Sequence, residues 1–200
     1  MTHKSYRSYH LIPPHGGYRG LKSYQTTEII YDLTVEFCRR WVESPRLKEQ
    51  MTSAARSSKQ NIAEASQDSG TSKKTELKLL GVARGSLEEL LQDYQDFLRQ
   101  RSLPLWGKED AKARKIRALA YRSNRSYKTY SSYLKEPEEA ANCLICLIHQ
   151  ANYLLDRQLK ALEKDFLTKG GFTENLFKKR LQFRLKTRII PHKPPQDLNS

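Results

Sequence analysis

The chain has 200 residues and a mass of 23.3 kDa, the length of one domain with appendages, and its 38% hydrophobic content is low for a fully packed chain of that size. Lys and Arg number 36 against 22 Asp and Glu, a net charge of +14, which disfavours basic partners and favours a polyanion. Three cysteines cannot build a disulfide framework, the first residues carry no apolar signal core, and the longest apolar run, Cys143 to Ile148, has six residues, so a cytoplasmic protein with no membrane span is expected.

The charge is segregated. Residues 1–21 carry +3, residues 22–102 +1, residues 103–136 +6, residues 137–171 −1 and residues 172–200 +5. The two long periodic stretches together are neutral, and the excess sits in a leader, an insert and a tail. Such segregation points to surfaces specialised for an anionic partner.

Helical periodicity runs through the chain, with almost no strand-like alternation. After a leader read as flexible, the first helix is expected over residues 22–43, with Ile30, Leu33, Phe37 and Trp41 inward. Ser44-Pro45 ends it and starts the second, Ser44 as N-cap and Pro45 at the first helical position. The second helix reaches residue 69 with Leu47, Met51, Ala54, Ser58, Ile62 and Ala65 inward, and Gly70 is the expected stop. Thr71 or Ser72 caps the third, which runs to about residue 101 on a seam of Leu80, Ala83, Leu87, Leu90, Tyr94, Phe97 and Arg101, polar only at its last step. Gly81 and Gly85, four apart, are read as points of close approach to the small-residue face of the second helix.

Residues 103–136 break the pattern: a turn-like LPLW, a short basic helix in KEDAKARKIRALA, then an irregular stretch. Pro137 starts the fourth long helix, with Leu144, Ile148, Ala151, Leu155, Leu159, Leu162 and Phe166 as its seam and Gly170-Gly171 as its stop. A short amphipathic, basic helix follows at about residues 173–184, and the last residues read as disordered. The expected fold is all-α: an antiparallel up-down four-helix bundle over residues 22–171, flanked by a 1–21 leader and a 172–200 tail.

Two motifs carry a resemblance. In the second helix, Ala54, Arg56-Ser57 and Asn61-Ile62-Ala63-Glu64 resemble the A-x-R-S-x-x-x-N-I-A-E-G pattern of a bacterial four-helix-bundle family. In the third, Ser72-Lys73-Lys74-Thr75-Glu76 and Ala83-Arg84-Gly85-Ser86-Leu87-Glu88-Glu89-Leu90 are similar to its second motif. The family includes the 23S ribosomal RNA intervening-sequence proteins and the accessory variability determinant of diversity-generating retroelements. The stretches Gly16–Gln25, Val82–Leu98, Ala151–Glu163 and Gly170–Glu174 resemble a longer subgroup, the four helix bundle suffix domain proteins. The resemblance implies a homo-oligomer, a pentameric ring with a basic surface, no enzymatic activity and no cofactor. Its retroelement members bind RNA and a reverse transcriptase. This chain departs by carrying Ala65 where the motif has Gly, and by the insert and tail.

Asn61 with Glu64, and Ser86 with Glu89, share helix faces three residues apart; with Gly85 they read as a register-fixing network rather than a catalytic carboxylate pair. Cys143, Cys146 and His149 spread around one helix, each step of three falling about 60° short of a turn, and read as core cysteines without a metal. The strongest functional signal is the insert: Tyr121, Tyr127, Tyr130 and Tyr133 interleave with Arg114, Lys115, Arg117, Arg122, Arg125 and Lys128. Aromatic rings stack on unpaired bases and cations neutralise phosphates. The alternative is a solvated loop whose tyrosines fold back on the bundle. Lys178, Lys179, Arg180 and Arg184 are expected to extend the same surface. RNA or single-stranded nucleic acid is the favoured partner. The competing reading is an assembly scaffold gripping an acidic protein, such as a retroelement-type reverse transcriptase. Apolar residues on more than one face, Ile29, Phe37 and Trp41 on the first helix and Ile145, Leu147 and Tyr153 on the fourth, add a separate motive for oligomerisation.

Overall fold

The protein is described by a computed structural model over residues 11–122 and 124–188; for residues 186–188 the description extends to the backbone only. A 3-10 turn, Tyr18–Gly20, precedes helix α1, Lys22–Trp41; α2 spans Pro45–Asp68 and α3 Lys73–Gln100. The insert holds α4, Ala111–Leu119, a single turn α5, Tyr127–Tyr130, and a 3-10 stretch, Ser131–Lys135. Then come α6, Pro137–Lys169, and α7, Phe172–Arg188, with no strand among the described residues.

The helix ends follow the local chemistry. Ser44 Oγ accepts from Leu47 N (3.3 Å) with Pro45 behind it, and Ser72 Oγ accepts from Thr75 N (3.1 Å). Pro137 opens α6 with Glu138 and Glu139 in its first turn, where the helix dipole favours negative charge. Gly170, at φ +70, ends it.

The four long helices close into a square, α1 on α2 and α6, α3 on α2 and α6. Cross-helix pairs fix the directions. Cys38 Sγ meets Met51 Sδ (3.8 Å), Ser86 Oγ donates to Ser57 Oγ (3.0 Å), and Arg84 Nε donates to Asp156 Oδ1 (2.6 Å). Ser23 Oγ donates to Gln158 Oε1 (2.6 Å), while Arg40 reaches the Leu134 carbonyl at the other end of α1. Numbering rises on each helix as it falls on the next, so the bundle runs up-down-up-down. Its centre is aromatic: the Phe37 ring meets Trp41, Tyr94 and Phe97 edge-on at 4.7 to 5.1 Å, and Tyr94 Oη donates to Thr34 Oγ1 (2.8 Å).

Several expectations need correction. Gly81 and Gly85 are exposed, and a Cβ on either meets nothing within 4 Å. Gly85 sits two residues from both Ala83 and Leu87, about 160° around the helix from the seam, so it cannot face α2. The described part of the leader is ordered against the bundle: Gly16 N donates to the Ser66 carbonyl (2.8 Å), and Ile12 and His15 cover Gly70. Residues 1–10, and the 189–200 stretch read as disordered, lie outside the described residues. The irregular part of the insert is largely helical. The α6 seam is buried to Leu162 except for half-buried Leu159, but Phe166 is exposed, because α6 at 33 residues overhangs a 20-residue α1. The α7 helix is not amphipathic. At about 100° per residue, Phe172, Leu176 and Phe183 fall on one side and Phe177, Leu181 and Leu185 on the other.

The apolar stripes that motivated an oligomer are mostly covered within one chain. Ile29, Phe37, Ile145 and Leu147 are buried, Trp41 is half-buried against the core, and Tyr153 alone of the set is exposed. No helix of the described residues is long and apolar enough to cross a membrane.

Candidate nucleic-acid interface

The insert is pinned to the N-terminal half of α6 by a buried asparagine. Asn142 Oδ1 accepts from Trp106 N (2.8 Å), and its amide donates to the carbonyls of Pro104 and Glu138 (both 2.9 Å). Trp106 Nε1 donates to Glu138 Oε1 (2.8 Å), and Lys112 pairs with Glu139 at 3.2 Å while lying over the Trp106 ring. Asp110 caps α4 by accepting from Lys112 N (2.7 Å), and α4 buries Ala113 and Ile116. Tyr130 and Leu134 close the insert onto the core. The basic segment is thus held by four buried anchors, Ala113, Ile116, Tyr130 and Leu134, and one polar clamp. Leu119 packs partly against the core, and Arg114 and Lys115 are left to solvent.

The predicted interface residues divide accordingly. Arg114, Lys115, Arg122 and Lys128 are exposed, and Tyr121 is 92% exposed. Arg117 is half-buried and donates to the Lys108 carbonyl; Arg125 is half-buried, with a long contact to Thr26 Oγ1 (3.5 Å). Tyr127 and Tyr133 are half-buried against the core. Tyr130 is fully buried, and burial pushes its hydroxyl pKa up while the Arg125 guanidinium pulls it down. No base can reach that ring, so the stacking role expected for Tyr130 is corrected to a core role.

The tail cations Lys178, Lys179, Arg180 and Arg184 are exposed on α7. They are not brought beside the insert. The insert packs near Ile145, and α7 leaves from the opposite end of α6, about 36 Å along the helix.

The motif residues are partly a network. Asn61 Nδ2 donates to the Ser57 carbonyl (2.8 Å) and to Ser57 Oγ (3.1 Å), and Ser86 joins through Ser57. Glu64 and Glu89 are exposed and outside it. Among the polar inter-helix contacts that the sequence did not reveal is Arg84 with Asp156, a charge-assisted bond that raises the arginine pKa further. Burial pushes the Cys38 thiol up to about 12 and raises the Cys143 and Cys146 thiols. His149 is exposed. Trp106 and Asn142 were also missed. The signal was available, since an asparagine inside the apolar run AANCLICLI has to be satisfied by something docked beside it.

Residues 21–103 match the family model described as 23S rRNA-intervening sequence protein. The resemblance to that family holds over α1, α2 and α3. The insert, α6 and α7 lie beyond the matched residues. No curated protein and no solved structure matches the chain.

Proposed function

We propose that the protein is a non-enzymatic helical bundle that binds RNA, or single-stranded nucleic acid more generally, through the outward face of the insert. The observation that carries this reading is the separation of roles within residues 103–136. Ile116, Tyr130 and Leu134 anchor the segment, while Arg114, Lys115, Arg122, Lys128 and the Tyr121 ring are all exposed. An insert needed only to cover α6 would have no use for that net charge. Asn61, Ser57 and Ser86 are engaged with one another, which fits a structural motif rather than a catalytic one. Homo-oligomerisation, as the resemblance implies, is proposed with it; the exposed Phe177, Leu181 and Leu185 of α7 are available for such contacts, and light scattering tests it.

Replacing Arg114, Lys115, Arg122 and Lys128 by alanine tests the binding reading. Each phosphate contact adds about 0.7 to the salt slope for single strands, so the slope should flatten by up to about 3 units. A folded variant with unchanged RNA affinity and slope overturns the reading and leaves the acidic-protein partner as the use of this surface.

A further inference from the structure

We infer that the cleft between the insert and the α3/α6 edge is a pocket for one unpaired nucleobase. The inference deepens the nucleic-acid reading and rests on it for the source of the base. The cleft measures about 580 Å³, within the range of small-molecule sites, and its walls are mostly apolar, with Leu105, Trp106 and Ile145 among them. Trp106 cannot swing, because its backbone and ring nitrogens are both tied to α6. Tyr153, 61% exposed, offers a second ring at the mouth.

One side chain in this wall lacks what it needs. Gln150 lines the cleft, and its amide nitrogen and oxygen are both buried with no hydrogen-bond partner. Buried polar atoms are nearly always paired, and an unpaired amide destabilises the folded state. An amide presents a donor beside an acceptor. That is the complement of a base edge carrying the same pair reversed, which is met by the adenine amino group and the ring nitrogen next to it; unpaired cytosine offers the same pair on a smaller ring with less surface to stack. Lys108 and Arg117 also line the cleft and place positive charge where a sugar-phosphate would emerge. Unpaired bases in RNA are recognised this way, splayed from the strand, stacked on a ring and bonded along an edge. The walls other than Gln95 come from residues beyond the matched family segment, so the pocket exists because of the insert and α6.

Titration calorimetry of the full chain with AMP, GMP, CMP and UMP, then with single-stranded oligoadenylate, tests the proposal. One AMP should bind per chain, more tightly than the pyrimidine nucleotides. Gln150→Leu should weaken AMP binding by about tenfold or more while leaving the melting temperature unchanged or higher, since it removes an unpaired amide. Tyr153→Ala, at an exposed side chain, should weaken binding on a fully folded protein. Tighter binding of oligoadenylate than of AMP assigns the pocket to a base within RNA; equal binding assigns it to a free nucleotide. Absence of binding by every nucleotide, or Gln150→Leu binding AMP like the wild type, overturns the inference. So does occupation of the cleft by an apolar dye but by no nucleotide, which makes it a protein-docking surface. RNA binding that survives Gln150→Leu with its salt slope intact, together with no AMP binding, overturns the pocket alone. AMP binding with no RNA binding overturns the nucleic-acid function and leaves the pocket standing.

Discussion

The α2/α3 motif face and the 103–136 insert use polar residues in opposite ways. On the motif face, Ser57, Asn61 and Ser86 satisfy one another and Arg84 is paired with Asp156, while Glu49, Glu89 and Asp93 leave negative charge beside them. In the insert, the polar anchors Asn142 and Glu138 belong to α6, and four of the insert's cations, Arg114, Lys115, Arg122 and Lys128, remain outside. The motif face spends its chemistry on register between two helices. The insert takes its fixation mainly from apolar residues and a borrowed clamp, so those four charges face solvent. Composition located the charged surface. It could not sort the tyrosines, because a ring in a basic stretch has the same sequence signature whether it stacks on a base or fills the core.

That difference is broken most sharply by a pair of tyrosine variants. Tyr130→Ala removes a fully buried ring that closes the insert onto α1 and α6, and should cost about 3–5 kcal/mol in urea denaturation. Tyr121→Ala removes an exposed ring and should change stability by less than about 0.5 kcal/mol, while weakening RNA binding. Equal stability losses would mean the insert is not divided into anchor and surface as described.

The fold was legible because its signals are local and redundant. Ser44-Pro45, Ser72 and Pro137 fix three helix starts by capping chemistry, and the seam from Leu80 to Phe97 repeats often enough to define a face. The register of the bundle was not legible, since it rests on pairs far apart in sequence, such as Arg84 with Asp156 and Ser23 with Gln158. The same limit applied to the site. The cations of the insert could be named from composition, but the cleft needs Trp106, Asn142 and Gln150 together, and no spacing rule links residue 106 to a helix that starts at Pro137. The glycines misled for a simpler reason. Spacing four apart placed Gly81 and Gly85 on one face, but not on the face that α2 covers.

A pair of glycine variants sharpens the motif side. A Cβ at Gly70 meets His15 Cβ at 2.9 Å and Ile12 Cγ2 at 3.0 Å, so Gly70→Ala has to push the leader off the α2/α3 turn. It should cost about 1–2 kcal/mol and make residues 11–17 newly sensitive to limited proteolysis. Gly85→Ala meets open space in an exposed helix position and should stabilise by up to about 1 kcal/mol in urea denaturation. A destabilising Gly85→Ala would restore the close helix contact that the structure denies.

The smallest effect concerns how the insert is tied to α1. Glu36 accepts from Arg39 Nη2 (2.7 Å) and Arg40 Nε (2.5 Å), and Arg40 also donates to the Leu134 carbonyl at the end of the insert. The hydrogen bonds from Arg39 and then Arg40 hold the Glu36 carboxyl at about 2, below its usual 4.5. A carboxylate whose folded pKa is depressed stabilises the fold above its unfolded pKa and loses that contribution as pH falls through the folded one. The Glu36 contribution is therefore present above about pH 5 and disappears between about pH 4.5 and 2. Arg39 is well exposed, so solvent screening keeps the effect below about 1 kcal/mol. Glu36→Gln should lower stability by that amount at pH 7, and the gap from the wild type should close by about pH 2 in urea denaturation. A gap that persists unchanged at pH 2 would show that Glu36 acts through packing, and that the Arg40 bridge to Leu134 stands without it.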